Sequence, residues 1–413
     1  MDAQKPKSSR PLGEPQTVMV RPLLLKPQWM NGLSERLLVS HYENNYGGAL
    51  RRLNAIRARL ASLDWERAPV FEINGLKREE LIASGSVILH ELYFDALGGY
   101  GDNPPTGLTE PPDDLARALE RDFASIAAWR AEFTAMAKAQ GGGSGWTILS
   151  WSNRLGSLVN QWAADHTHGL PGGTPILALD MYEHAYHLDF GAKAAAYVDQ
   201  IMANLNWERN GARYRLAIGE EVGDELFLPY GAPPQDEARI SAEELKAALD
   251  DTEERRPILL DLCQPRDLPR RTDMLSGATL HAPAALAQWV EELPRNRPIV
   301  VYCICGFQVS GTAVTELRRR GYDARALAGG ITAWHAVGGR QCRSIPLPTS
   351  KCPKHSELAE RQGIQQPSPL DGRQPSKLIT SCAGSIPWML LTLQRTLHLP
   401  AAISSLSPPA RRR

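Results

Sequence analysis

The first 262 residues of this 413-residue chain contain no cysteine; all six, Cys263, Cys303, Cys305, Cys342, Cys352 and Cys382, lie beyond them. A disulfide within the larger part of the chain is therefore excluded. The uneven spacing of the later cysteines points to thiol chemistry rather than a secreted disulfide framework. Net charge is also lacking, because 46 Lys and Arg balance 46 Asp and Glu. That argues against a dedicated nucleic-acid binder. No segment reaches the ~20 apolar residues a membrane helix needs. Leu23-Leu24-Leu25 is too short for the apolar core of a signal peptide, and no small-residue cleavage site follows it. These absences predict a cytoplasmic protein with neither a membrane nor a nucleic-acid partner.

What is present exceeds one ordinary core, so the length predicts two or three domains. Residues 1–18 are polar and Pro-rich and read as a flexible leader. Over 19–109, Ser34 opens a helical pattern carrying Leu37, Leu38, Leu50, Leu53, Ile56 and Leu60. Asn74-Gly75 then reads as a break, and a second helix is expected from about Lys77 to Leu97. Two such helices in succession pair antiparallel as a hairpin. Over 110–215 the pattern becomes mixed α/β. A helix over Leu115–Lys138 is followed by strands at Thr147–Trp151, Gly156–Ala163 and Ile176–Asp180, a small antiparallel sheet, and then a closing helix at Lys193–Asn206. This first domain is α+β. Residues 216–239 read as a linker. From 240 to 340, buried strands alternate with helices, which predicts an α/β domain with a parallel sheet. Residues 341–413 hold ten Lys/Arg against three Asp/Glu and ten Pro, and are expected to be a disordered basic tail.

The chemistry gathers at Asp180-Met181-Tyr182-Glu183-His184. A carboxylate at a strand end and an imidazole four residues on can aim two ligands at one metal. His41 and His90 sit on the two N-terminal helices. Either one alone would ordinarily be a core or surface residue. With Asp180 and His184 they supply three imidazoles and one carboxylate, a set that suits iron or manganese with one open position, and that zinc would also tolerate.

These residues, with Gly142–Trp146 (GGSGW), the Asp180–Tyr186 stretch (DMYEHAY) and Asn206-Trp207, make residues of about 20–215 resemble the iron/manganese superoxide dismutase family. The resemblance implies one Fe or Mn ion per subunit, held by His41, His90, Asp180 and His184. The ion would cycle between two oxidation states as one superoxide becomes oxygen and the next hydrogen peroxide. It places Trp146, Phe94 and Tyr182 as aromatic walls. It also implies a homodimer in which Glu183 bonds His184 of the other chain. Departures are concentrated around the cage. Asn45 and Ala49 stand where the family has a second His and a gateway Tyr. Tyr46 is one helical step off and should point elsewhere. Ser86 replaces an outer-sphere Gln. His166 is the candidate partner for metal-bound solvent, with His168 as the alternative. Asn45 and His187 are expected to face each other across the dimer interface, replacing an imidazole–phenol pair.

A second constellation follows Val300-Val301-Tyr302. The tight loop Cys303-Ile304-Cys305-Gly306-Phe307-Gln308 runs into a helix starting near Ser310, and such a loop stabilises a thiolate or an oxyanion. With Leu260-Asp261, Gly277-Ala278 and Leu327–Trp334, it makes 240–340 similar to the rhodanese family. The resemblance places Cys303 as a persulfide-forming residue with thiosulfate or another sulfur donor. Gln308, Val309 and Cys263 depart from the family's Arg, Ser and Arg. A thiol sensor that reads oxyanions or peroxide is the alternative, and Cys305 could trap a persulfide or form a disulfide.

Overall fold

The computed structural model describes residues 17–98, 110–228, 233, 236–253 and 255–342. Most of the expected leader, the loop after Gly98 and all of the tail past Cys342 lie outside these residues. Ser34 caps α1 (Glu35–Ser40) by accepting a hydrogen bond from the Leu37 amide at 3.1 Å. The helix does not run on evenly. His41–Tyr46 forms a π-helical turn before α2 (Gly47–Ala61). A π-turn holds an extra residue and changes which side chains share a face.

The return helix α3 (Val70–Ala96) begins seven residues before the expected start. Asn74-Gly75 does not break the chain. It lies within the exposed opening turns of α3, where glycine costs only about 1 kcal/mol relative to alanine. The hairpin bend falls instead at Leu63–Pro69, and Pro69 caps the new helix. The antiparallel register is fixed by cross-helix pairs: Tyr46 Oη donates to Glu91 at 3.0 Å, Arg52 pairs with Glu79, and Arg59 bonds Glu72 at 3.0 Å.

The expected single helix over 115–138 is two, α4 (Asp113–Phe123) and α5 (Ile126–Ala139). Ala124 at φ +69° turns the chain, and Ser125 caps α5. Then β1 (Trp146–Ser152), β2 (Ser157–Ala163) and β3 (Gly173–Asp180) form an antiparallel sheet in the order β2-β1-β3. Its register sets Trp146 opposite both Asp180 and Ala163, so three chain segments converge at one sheet end. A short α6 (His187–Phe190) leads to α7 (Ala194–Ala203) and α8 (Trp207–Ala217). The expected closing helix is α7, and a further helix, α8, follows it and extends into the expected linker. Asn206 caps α8, and Trp207 and Tyr214 are buried, which holds the segment against the core.

The C-terminal part contains β4 (Arg239–Ile240), α9 (Ala242–Leu249), β5 (Ile258–Asp261), β6 (Met274–Leu275), β7 (Thr279–Leu280), α10 (Leu286–Trp289), β8 (Ile299–Tyr302), α11 (Gln308–Arg319), β9 (Ala324–Leu327), α12 (Gly330–Ala336) and β10 (Gln341–Cys342). Five strands form a parallel sheet in the order β4-β9-β8-β5-β7. β10 pairs with β6, so Gln341 and Cys342 belong to the folded part rather than the tail.

The two parts share one apolar core, which runs from Leu37 and Trp146 through Leu23 and Leu25 to Ile331 and Trp334. A Cβ on Gly47 would lie 2.7 Å from Ala336 Cα, so α2 and α12 meet nearly backbone to backbone. Glu43 accepts from His335 Nδ1 at 2.8 Å across this seam. No helix among the described residues is long and apolar enough to cross a membrane.

Candidate metal centre

Four side chains from three segments converge at the sheet end. The ligand atoms of His41, His90, Asp180 and His184 all lie within 4.8 Å of one another. Asp180 Oδ2 is the hub, 3.1 Å from His41 Nε2, 3.6 Å from His90 Nε2 and 3.1 Å from His184 Nε2. His90 and Asp180 are oriented from behind, whereas buried His41 Nδ1 has no hydrogen-bond partner. The Ser86 carbonyl accepts from His90 Nδ1 at 2.7 Å, which leaves the Nε2 lone pair facing the hub. The Tyr182 amide donates to Asp180 Oδ1 at 2.8 Å and keeps Oδ2 turned inward.

Buried His90 Nε2 has no hydrogen-bond partner. An unpaired buried polar atom is costly. Three imidazoles around one carboxylate oxygen, at separations expected for neighbours on an ion with bonds of about 2.1 Å, fit a metal. Burial pushes His90 down to about 3, helped by the nearby His41 and His184, so its ring is neutral and able to ligate. Burial pushes Asp180 upward, but hydrogen bonds from His184 and His41 and their charge outweigh it and hold the carboxyl well below its usual range. A neutral His90 and an ionised Asp180 are in the donor state that a divalent or trivalent cation requires of them.

The walls are aromatic. Phe94 lies 5.0 Å from His41, Trp146 meets His90 edge-on at 5.3 Å, and Tyr182 stacks on His184 at 5.4 Å. His41 and Asp180 are fully buried, whereas the His184 side chain is 26% exposed and marks the open side.

His166 belongs to this assembly. Its ring stacks on Tyr182 at 4.8 Å and lies 6.0 Å from His90. Trp146 Nε1 donates to His166 Nδ1 at 2.9 Å. Nδ1 must then accept, so the neutral ring carries its proton on Nε2. Burial lowers the His166 pKa, more strongly than Asp180 raises it, which favours that neutral ring. His168 sits on the exposed outer side, where its Nδ1 accepts from the Ala164 amide at 3.1 Å.

Tyr46 turns away from the cage. Its hydroxyl accepts from the Arg21 amide at 2.7 Å as well as bonding Glu91. Ala49 leaves its position without a phenol. Asn45 is half-buried, while Glu183 and His187 are exposed on the single chain.

Three supporting residues escape a reading of the sequence. Tyr93 packs 5.0 Å from His41, and its place three residues after His90 could have suggested this. Tyr197 donates to the Asp180 carbonyl at 2.9 Å, with no local signal. Gly85 lets α3 pass the His166 turn, since a Cβ there would lie 1.8 Å from the His166 carbonyl oxygen.

The thiol loop lies at the C-terminal ends of β8 and β5, the usual ligand edge of a parallel sheet. Gly330, at φ +57°, brings α12 against it, and Ile331 N donates to Cys303 O at 3.0 Å. A Cβ on Gly330 would lie 2.3 Å from that oxygen. Gly306 turns the loop at φ +71°. Cys303 Sγ is 3.4 Å from Ser310 Oγ. Cys263, Cys303 and Cys305 are buried free thiols. Burial pushes Cys263 up to about 11 and Cys305 further still. Arg271 pairs with Asp261 at 2.8 Å and lies beside Cys263, a cation that the sequence reading did not single out.

Residues 111–213 match the family described as iron/manganese superoxide dismutases, C-terminal domain, and residues 241–337 match the rhodanese-like domain. A superoxide dismutase (Fe) of Cupriavidus metallidurans is 60% identical over 199 residues, 48% of this chain and 97% of that protein. A superoxide dismutase (Fe) of Aquifex pyrophilus is 34% identical over 202 residues, 47% of this chain and 90% of its own length. Superoxide dismutase (Mn) 2 of Haloferax volcanii is 32% identical over 187 residues, 45% of this chain and 89% of that protein. The chain belongs to the iron/manganese superoxide dismutase family and carries a rhodanese-like domain after its dismutase part.

Proposed function

We propose that the chain converts superoxide to oxygen and hydrogen peroxide at one iron or manganese ion held by His41, His90, Asp180 and His184. The observation that carries this reading is the cage itself, three imidazoles around one buried carboxylate with His90 Nε2 left unpaired. The ion supplies one-electron redox chemistry and Lewis acidity. The chain's own residues do the rest. Phe94, Trp146 and Tyr182 limit water and hold the imidazole orientations. His166 presents an Nε2 proton that can be shared with bound solvent or substrate, and Trp146 keeps it in that tautomer. The partly exposed His184 side is the approach for a small anion.

The expected assembly is a cytoplasmic homodimer. Exposed Glu183 and His187 and half-buried Asn45 support a partner on this face, with Glu183 bonding His184 of the second subunit. For the C-terminal domain we propose that Cys303 takes up sulfane sulfur from a donor of the thiosulfate class. Its place on a glycine-turned loop at the sheet's ligand edge supports that reading.

The test uses the full chain loaded separately with iron and with manganese. Rapid superoxide decay in one loaded form, against background decay in the metal-free form, is the expected result. No decay above background in either form would defeat the dismutase reading. Light scattering on the same preparation should give twice the chain mass, and a monomer would exclude the cross-subunit Glu183 bond. Cyanide-labile sulfur should appear on Cys303 after thiosulfate treatment and be absent from Cys303→Ser.

A further inference from the structure

The pocket over the thiol loop has a wall from each part of the chain. About 50 Å³ in volume, it is lined by Cys303, Cys305 and Gln308 from the loop and by Lys26 and Trp29 from the segment leading into α1. Lys26 is 8% exposed. Its Nζ donates to Gln308 Oε1 at 3.0 Å and lies 4.1 Å from the Trp29 ring centre and 5.1 Å from that of Phe307. Among the described residues no carboxylate lies within ion-pair distance of it. A buried ammonium held by one amide oxygen and two ring faces is under-compensated, and burial disfavours its charged form. What the pocket adds is sulfur. Burial lowers the Lys26 pKa, and the two groups that most oppose the fall are Cys303 and Cys305. Burial holds Cys305 protonated, and the other charged lining groups, Arg266 and Asp267, act on Lys26 in opposite directions.

We infer that Lys26 and Cys303 form one composite anion pocket, in which an ammonium delivered by the dismutase part offsets charge on the Cys303 sulfur and on a small sulfur oxyanion of the thiosulfate class. This rests on the reading of Cys303 given above and adds a second cation to a pocket that Arg266 also lines. In the transfer step the Cys303 thiolate attacks the outer sulfur of thiosulfate and a new S–S bond forms. The S–S bond of thiosulfate breaks, sulfite leaves with its electron pair, and the charge stays balanced without any external oxidant. Lys26 takes no proton or electron in this step. It is a positioning and charge-offsetting residue, and the thiol site is complete only with both parts of the chain docked.

Charge-selective alkylation tests the inference without requiring sulfur transfer. Cys303 labelling by anionic iodoacetate and by neutral iodoacetamide is followed by peptide mass spectrometry in the full chain, Lys26→Met and Lys26→Arg. The wild-type iodoacetate-to-iodoacetamide rate ratio should exceed that of a small free thiol. Lys26→Met should lower the ratio about tenfold, the effect of one nearby opposite charge. Lys26→Arg should restore it, and superoxide turnover should be unchanged in both variants. A Lys26→Met ratio equal to wild type overturns the inference. If Lys26→Met does not fold, a wild-type ratio at or below that of the free thiol overturns it equally. Failure of thiosulfate to deposit sulfane sulfur while the ratio behaves as expected removes the transferase reading and leaves an anion-binding thiol pocket in place.

Discussion

Replacing Asp180 with Ala is expected to abolish metal retention and superoxide turnover together. Asp180 contributes the one oxygen that faces all three imidazoles, at 3.1, 3.6 and 3.1 Å. It is also the only acidic member of the cluster. Without it the site keeps three neutral donors but loses the charge that favours a hard cation. Removing even an outer-shell partner typically costs 10–100-fold in metal affinity, so loss of the carboxylate should cost at least ~100-fold. Asp180→Asn separates charge from shape, because its amide oxygen can still accept from the Tyr182 amide while the second position can no longer act as an anion. Both variants are expected to purify with little iron or manganese and to show only background superoxide decay. Circular dichroism should report retained helices, since β3 and its register are set by Ile176–Leu179, which are buried in the shared core. Full metal content with full turnover in Asp180→Ala would mean that the ion sits elsewhere.

A single methyl group on Gly85 should have the next largest effect. The residue lies inside α3, where alanine is favoured over glycine by about 1 kcal/mol. That gain is overridden because the added Cβ would stand 1.8 Å from the His166 carbonyl oxygen and 2.9 Å from its carbonyl carbon. Both obstacles are backbone, so relief requires moving the His166 turn or bending α3. Overpacking of this kind costs about 1–3 kcal/mol. The catalytic consequence should exceed the loss in stability. His166 is held by the Trp146 bond at 2.9 Å and the Tyr182 stack at 4.8 Å, and a shift of the turn disturbs both. Gly85→Ala is therefore expected to keep its metal but lose turnover by roughly tenfold or more, the usual scale for a displaced outer-sphere partner. Wild-type turnover and thermal midpoint in this variant would show that the turn yields freely and that His166 placement does not matter. Trp146→Phe provides the comparison, since it deletes the donor to His166 without adding volume.

Legibility differed between elements for physical reasons. The three strands of the small sheet were readable because alternating and apolar runs bounded by glycine have few other solutions. Ser34 and Ser241 mark helix starts through short-range capping that sequence displays directly, whereas Asn206, expected to end the closing helix, caps the start of α8. Asn74-Gly75 misled because turn residues are also tolerated on an exposed opening turn, where little packing depends on them. The break between α4 and α5 at Ala124 was hidden because alanine is a helix former and carries no turn signal, yet here it takes a positive φ. The π-turn at His41–Tyr46 was equally silent, since no composition distinguishes it from an α-helix.

For the site, sequence alone determined the four cage residues as a set. Asp180 and His184 lie in one short motif, and His41 and His90 joined them by lying on two successive helices at places that the family resemblance matches. Tertiary structure alone decided what surrounds them. Tyr46 faces Arg21 and Glu91 because of the π-turn and the hairpin register. His166, rather than His168, faces His90 because glycine at position 85 lets a helix touch the turn that carries it. Lys26 meets Gln308 across 282 positions of chain. Side-chain periodicity reports a residue's own few neighbours, whereas contacts of this separation depend on the packing of whole elements and leave no mark in any local window.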